Sequence, residues 1–531
     1  MSKAAFYSLF LASLIVGLGF RFWRLDIRPM HHDEANQAVK FGALLETAEY
    51  RYDRNDHHGP TLYYLTLPLA WARGQKTLRA LDEWTLRAVP AAFGAGLLLL
   101  FGLLARKLGR DAVVLGSVFA ALSPALTYYS RFYIQESLLV FFTLGFLIAL
   151  GRFAFRPGYG SALAAGACAG MALATKETSI PIFAAAGAAL ALAKLSTKGI
   201  PHLANPYTNP KHVKIAHVLT GLGAAIVIAA VLFSSFFSNP GGILDSARAL
   251  KDYALRAADA GPHGQDWNYY LRLLAFSSSG GLVWTEGMIL VLAVVGAAGA
   301  FGRGEGGRGA DPLSAAESAF AEDRFWPRYI LLYSLFAAAA FSIVRYKTPW
   351  NLLPFYAGLV LLAGCGAAAV LKRLRSGLTR ALFFILLLAG CCHLGIENWR
   401  ASLAYAADPR NPYVYAQTVP DFLRLVKRVH DLAAVDADGK EMLIKVVAGP
   451  YEQWPLPWYL RDFRRVGYWA DPRAAGGFAG VPVVIASQEN AEKLEPVLGD
   501  RFQAESYGLR PDVLLMLYVD RGLWERFLNR R

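Results

Sequence analysis

Hydrophobic and polar positions along this chain segregate into long blocks, not into the short periods of a soluble fold. Eleven stretches without Asp, Glu, Lys or Arg lie at 5–20, 88–105, 112–130, 137–151, 157–175, 178–193, 215–237, 287–302, 329–344, 348–371 and 381–396. Each approaches or exceeds the roughly 20 apolar residues that a bilayer-spanning helix needs. The first runs directly into Arg21-Phe22-Trp23-Arg24 without a small-residue cleavage site, so it reads as a retained anchor. A further apolar run, 60–72, is too short to span and is expected to lie along the membrane interface.

Positive residues orient these spans. With the N-terminus in the cytoplasm, the cytoplasmic connections carry Arg106, Lys107 and Arg110, then Arg152 and Arg156. Lys194, Lys198, Lys211 and Lys214 follow, then Arg303, Arg308, Arg324 and Arg328, and last Lys372, Arg373, Arg375 and Arg380. The short outer turns hold only Arg131, Lys176, Arg345 and Lys347. If 60–72 spanned, every later loop would change sides and the bias would reverse. The expectation is therefore an α-helical polytopic protein of about 11 transmembrane helices in a cell (inner) membrane. Its N-terminus is cytoplasmic and its C-terminus extracytoplasmic.

Three longer polar regions fall outside: loops 22–87 and 238–281, and the tail from about 400. In the tail, 420–435 and 489–498 have helical periodicity, and 442–448, 481–486 and 513–519 are strand-like. This predicts a transmembrane domain over 1–399 and an extracytoplasmic α/β domain over 400–531. The α/β domain carries a Pro/Trp-rich insert, Trp454-Pro455-Leu456-Pro457-Trp458-Tyr459. The Gly-rich stretch 302–316 reads as a cytoplasmic linker.

Composition sharpens this picture. Of 531 residues 55% are hydrophobic and 18% charged, with mean hydropathy +0.32, short of the roughly 25% charged residues of a soluble domain. A net charge of +14 could signal nucleic acid, but it sits almost wholly on the cytoplasmic connections and is a topology signal. No nucleic-acid partner is expected. The four cysteines lie in apolar runs and show neither CxxC pairs nor zinc-ligand spacing.

The unusual polar residues crowd the outer rim. His31-His32-Asp33-Glu34 follows the first span. There Asp33 could cap a helix, but capping alone does not call for two histidines and a second acid. Asp56-His57-His58-Gly59-Pro60 leads into Thr61-Leu62-Tyr63-Tyr64, which read alone is equally a turn with an interfacial tyrosine belt. Tyr128–Glu136 places Arg131 and Glu136 in an outer turn, which a salt bridge could also explain. Lys176 and Glu177 are squeezed between two spans, where an ionisable pair is costly and usually functional. Arg345 and Lys347 stand at a helix end, suited to a phosphate. Snorkelling to the headgroups is the alternative for both of the last two groups. His263 precedes Trp267, Tyr269 and Tyr270, where an interfacial aromatic belt explains the pattern equally well. His31, His32, Asp33, His57, His58 and Glu136 could supply donors to a divalent metal, although no spacing is diagnostic.

Taken in order, these strings resemble the membrane glycosyltransferases of the GT-C fold, in particular the protein O-mannosyltransferases and the lipid A aminoarabinose transferase. Within them the chain looks like the branch labelled flippase activity-associated. The strings are His-His-Asp-Glu at 31–34, His-His-Gly-Pro-Thr-Leu-Tyr-Tyr at 57–64 and Ser-Arg-Phe-Tyr-Ile-Gln-Glu at 130–136. Ala-Thr-Lys-Glu-Thr at 174–178, Arg-Tyr-Lys-Thr-Pro-Trp at 345–350 and Pro-Leu-Pro-Trp-Tyr-Leu-Arg at 455–461 complete the set. The resemblance implies transfer of a sugar from a polyprenyl-phosphate carrier to a protein, lipid or glycan acceptor on the outer face.

It also implies roles. Asp33 matches the first-loop acid that acts as base, and Glu34 is its companion. Glu136 stands where relatives carry an Asp after an Arg, here Arg131. Lys176 matches the Lys of a Thr-Lys-Gly string, with Glu177 replacing the Gly. Arg345 and Lys347 match cations that meet the carrier phosphate. His263 matches a His before a Tyr-Tyr pair. His58 departs from the pattern, standing where the aminoarabinose transferase has a Lys. His32, His57 and Tyr63 belong to the same strings and are expected to bind substrate.

The rival reading is a lipid-carrier flippase or transporter, or an accessory to one. Transporters tend to place ionisable groups near the midplane in repeated halves, whereas here the spans are nearly charge-free and no repeat is evident. A non-catalytic scaffold would leave Lys176-Glu177 and the paired acids unexplained.

Overall fold

The computed structural model describes residues 1–54, 58–197, 213–258, 261–301 and 316–530. His57, the linker 302–315 and the basic residues Lys198, Lys211, Arg303 and Arg308 lie outside the described residues. The chain divides into two compact units. The first comprises Met1–Trp23, Glu49–Thr66 and Arg87–Ala404; the second comprises Arg24–Ala48, Leu67–Leu86 and Tyr405–Arg531.

The first unit is helical. Among the described residues eight helices are long and apolar enough to cross a membrane. They become nine if Arg110–Leu122 and Pro124–Ser130, bent by 57° at Ser123, form one span. Two further apolar helices, Tyr159–Leu173 and Gly287–Phe301, are shorter. All eleven apolar stretches are thus helical, although three of them do not meet the length of a straight span. The run at 60–72 is the helix Thr61–Ala72, too short to cross.

Several helices turn bulky apolar side chains outward: Ile215, Leu219 and Ile226 on one, Phe384, Ile385 and Leu386 on another. In water this would be an aggregation surface; facing lipid it carries no penalty. Small residues let other helices approach closely. A Cβ on Gly296 would fall 2.1 Å from the Leu362 carbonyl oxygen, and one on Gly366 would fall 2.0 Å from that of Leu292. Only glycine therefore allows Gly287–Phe301 and Leu353–Arg373 to pack at this distance.

The second unit contains a five-stranded sheet. Numbered after a short hairpin of the first unit, β1 (Ser277–Ser279) and β2 (Leu282–Trp284), its strands are β3 (Ile444–Val447), β4 (Val466–Trp469), β5 (Val483–Ser487), β6 (Phe502–Arg510) and β7 (Val513–Asp520). Their order is β4-β3-β5-β7-β6. β3 runs parallel to β4 and β5, whereas β7 is antiparallel to β5 and β6. β3 and β5 are buried throughout, as expected for central strands covered on both faces. Helix Asp421–Ala433 packs one apolar stripe, Phe422, Leu425, Val426, Val429 and Leu432, into the core on one side of the sheet.

The strand-like stretches 442–448, 481–486 and 513–519 correspond to β3, β5 and β7. β4 and β6 carry weaker signals. β4 is a mere four half-buried residues, and β6 contains Gly508 at a register shift.

Candidate active site

In the second unit the loop after the first helix turns into helix His32–Thr47. His31, not Asp33, caps it: His31 Nδ1 accepts from the Asp33 amide at 3.0 Å. The remaining ring nitrogen, Nε2, stands 3.0 Å from the Tyr415 carbonyl. This geometry fits the tautomer in which Nε2 carries the proton. Glu34 closes the capping box by accepting from the His31 amide at 3.0 Å, and the same oxygen accepts from Arg28 Nη2 at 3.0 Å. Glu34 is fully buried, whereas the Asp33 side chain is 35% exposed at the positive end of the helix. Of the two acids, Asp33 is the more exposed.

The segment around 31–34 is pinned by the C-terminal region. The Met30 amide donates to the Tyr459 hydroxyl at 2.9 Å, and Gln417 Nε2 donates to the Pro29 carbonyl at 2.9 Å. The string at 455–461 is a knot of such contacts. Trp458 Nε1 donates to Glu83 Oε1 at 2.9 Å, and Arg461 donates to the Leu81 carbonyl at 2.9 Å while stacking 3.7 Å over the Trp458 ring. His32 stands with its ring 6.0 Å from those of Tyr451 and Trp454.

In the first unit a second set of polar groups gathers. Glu136 opens helix Glu136–Phe155, and its Oε1 is closely paired with the Lys176 ammonium. Both are about 5% exposed. Burial acts to lower the Lys176 pKa, but the Glu136 carboxylate outweighs it and the ammonium is held above the ordinary lysine value. The neighbouring Glu177 Oε2 lies 2.7 Å from His58 Nδ1, and the Tyr52 hydroxyl donates to Glu177 Oε1 at 3.3 Å. Burial acts to raise the Glu177 pKa, yet His58, assisted by Lys176, holds the carboxyl below its usual range.

Backbone bonds fix this arrangement: Gly59 N to Thr175 O at 3.1 Å, Thr61 N to Ala174 O at 3.2 Å and Thr61 Oγ1 to the same oxygen at 2.6 Å. Tyr253, on helix Gly241–Ala258, was not legible in the sequence. Its hydroxyl is within electrostatic reach of Lys176, Glu177 and Glu136, and burial with the two carboxylates pushes it up to about 12 against the pull of Lys176.

Arg345 and Lys347 lie on a small strap. Gly264 and Tyr346 form an antiparallel bridge, Gln265 N donates to Arg345 O at 3.0 Å, and Lys347 N donates to His263 O at 3.1 Å. The His263 ring is 4.8 Å from that of Tyr346. Arg345 is exposed. Lys347 is buried and donates to the carbonyls of Gln265, at 3.1 Å, and Val344. Burial, with Arg345 adding to it, keeps its ammonium below the usual lysine range.

Arg131 reaches back to the first helix. Its Nη1 donates to the carbonyls of Phe20, at 2.7 Å, and Trp23, at 2.8 Å, and so satisfies the end of helix Lys3–Phe22. Tyr63 is fully buried with its ring 5.1 Å from that of Tyr50. Among the described residues no group of three or more His, Cys, Asp or Glu side chains is arranged to hold a metal ion.

A polytopic helical unit and a small α/β unit together make the GT-C fold. Residues 11–239 match the model of the dolichyl-phosphate-mannose-protein mannosyltransferase family. The fold is similar to ArnT from Cupriavidus metallidurans in the apo state, with TM-score 0.64 at 16% identity over 98% of this chain and 99% of that one. ArnT bound to undecaprenyl phosphate aligns with TM-score 0.59 at 16% identity over 97% and 98%. The Archaeoglobus fulgidus oligosaccharyltransferase in the apo form aligns with TM-score 0.54 at 13% identity, over 96% of this chain and 74% of that one. None of the curated proteins matches the chain by sequence.

Proposed function

We propose that this chain is an integral-membrane glycosyltransferase. It moves a sugar from a polyprenyl-phosphate-linked donor to an acceptor hydroxyl on the extracytoplasmic face, with Asp33 as the base. The observation that carries this reading is the family match over 11–239, because that stretch contains Asp33, Glu34, Glu136 and Lys176. The relative whose structure holds undecaprenyl phosphate, ArnT, supports the donor class.

In the reaction Asp33 takes the proton of the acceptor hydroxyl, and the freed oxygen attacks the anomeric carbon. The bond from that carbon to the phosphate oxygen breaks, and the electron pair leaves with the carrier phosphate. General base catalysis of this kind contributes about 10²–10⁴-fold. Arg345 and Lys347 are the cations proposed to neutralise the leaving phosphate. Arg345 is the exposed cation of the two, while the Lys347 ammonium is held by the carbonyls of Gln265 and Val344. Glu34, locked by Arg28 and the His31 amide, acts through the helix N-terminus and sets the position of Asp33.

The test is transfer by the purified protein in lipid vesicles, supplied with labelled carrier-linked sugars and a panel of acceptors. Asp33→Asn is expected to cut transfer by about 10²–10⁴-fold while leaving the melting temperature near that of the wild type, since Asn is tolerated in a first helical turn. Full transfer by that variant overturns the assignment of the base. Carrier translocation across the vesicle without turnover assigns the chain to the flippases instead.

A further inference from the structure

The second unit places an aromatic platform beside the candidate base. Tyr451 is 74% exposed, so its ring does little for the core. Trp454, half-buried, presents a second ring, and the His32 imidazole lies 6.0 Å from both. Arg510, half-buried at the end of β6, donates from Nη1 to the Tyr451 carbonyl at 3.2 Å and feels the charges of both Glu452 and Asp33. Within one small patch stand two aromatic faces, a guanidinium and two carboxylates.

That combination has a chemical meaning. A pyranose ring has an apolar C–H face and a rim of hydroxyls. The face stacks on a flat aromatic ring, which loses little conformational freedom on binding. The hydroxyls donate to carboxylates and accept from guanidinium N–H groups, and such charge-assisted bonds are the strong ones. A polyprenyl tail would need an unbroken apolar groove instead. A peptide held in extended form would use backbone hydrogen bonds along a sheet edge, and this patch supplies side chains.

We infer that Tyr451, Trp454, His32, Glu452 and Arg510 form the acceptor subsite, and that the acceptor is a saccharide whose ring stacks on Tyr451 and presents a hydroxyl to Asp33. The inference rests on the glycosyltransferase reading for the role of Asp33, but the saccharide site itself can be tested without turnover.

The experiment uses the full-length protein in lipid nanodiscs free of sugar-based detergent. Methyl α-D-mannopyranoside, methyl β-D-glucopyranoside and methyl β-D-galactopyranoside are titrated in turn, and saturation-transfer NMR reads binding. At least one glycoside is expected to take up saturation, with Tyr451→Ala lowering its signal at least fivefold and Tyr451→Trp restoring it. No uptake by any glycoside, or equal uptake in Tyr451→Ala, overturns the inference. In parallel, a labelled carrier-linked sugar is offered with each glycoside or with a Ser/Thr peptide. A KM for the glycoside at least tenfold higher in Tyr451→Ala, again restored by Tyr451→Trp, supports the subsite. Transfer to the peptide with none to the glycosides overturns it and leaves the glycosyltransferase reading standing. Tyr451-dependent glycoside binding with no donor turnover upholds the saccharide site and counts against that reading.

Discussion

Asp33 and Glu34 are adjacent in sequence and opposite in circumstance. Consecutive residues in the first turn of a helix point about 100° apart, so one faces solvent while the other turns inward to Arg28. A similar division separates Lys176 from Glu177. The lysine is paired with Glu136, and the glutamate turns to His58 and Tyr52. Glu177 yields a pH prediction. Its folded-state pKa is depressed, so its contribution to stability is present at neutral pH, above the ordinary glutamate value near 4.3. That contribution is lost as the pH falls through the depressed folded value. Wild type and Glu177→Gln compared by thermal unfolding are therefore expected to differ above about pH 5, and to converge in more acid solution. A gap that is independent of pH, or that widens in acid, would contradict the pairing.

At the scale of elements, the chain invests backbone contacts where loops must hold charged side chains still. Gly59 is the clearest case, because a Cβ there would lie 2.1 Å from the Ala174 carbonyl oxygen. That carbonyl accepts both the amide and the hydroxyl of Thr61. Gly59→Ala is expected to push the 58–61 segment off the 174–175 turn, at a cost of about 1–3 kcal/mol for overpacking. His58 then moves away from Glu177. A lower melting temperature together with a loss of transfer checks this, and an unchanged melting temperature refutes it. The break at Ser123 shows the same economy. The buried Glu286 accepts from Ser123 Oγ at 2.6 Å, from the Ala125 amide at 2.9 Å and from the Tyr356 hydroxyl at 2.6 Å. It thereby satisfies donors that the bend takes out of the helix.

For the whole molecule, the second unit is not a contiguous stretch of chain. It unites two pieces of the first loop with the C-terminal region, and the string 455–461 supplies many of the bonds between them. The proposed orientation makes a direct prediction. In a variant whose four cysteines are replaced by alanine, Glu492→Cys is expected to react with a membrane-impermeant maleimide in intact cells. Arg375→Cys should react only after lysis. The reverse pattern would invert the topology and place the candidate site in the cytoplasm.

The apolar blocks and the charge asymmetry of the loops determined by themselves that this is a polytopic membrane protein, and β-branched runs marked three strands of the C-terminal sheet. These are local signals, since a span or a buried strand is specified by its own residues. The same holds for the strings around Asp33, Glu136 and Lys176, whose costly residue types stand out wherever they occur in such a chain. Only the tertiary structure decided what each polar residue touches. Arg131 belongs in sequence to the string 130–136, and only the structure shows its Nη1 donating to carbonyls at the end of a helix more than a hundred residues away. Tyr253, Arg510 and Tyr451 carry no motif at all, because their significance comes from long-range packing that brings them to Lys176, Asp33 and His32 respectively. The helix count divides in the same way. Apolarity was written in the sequence, but the bend at Ser123 depends on a buried glutamate from elsewhere in the chain, Glu286, which accepts from the Ala125 amide.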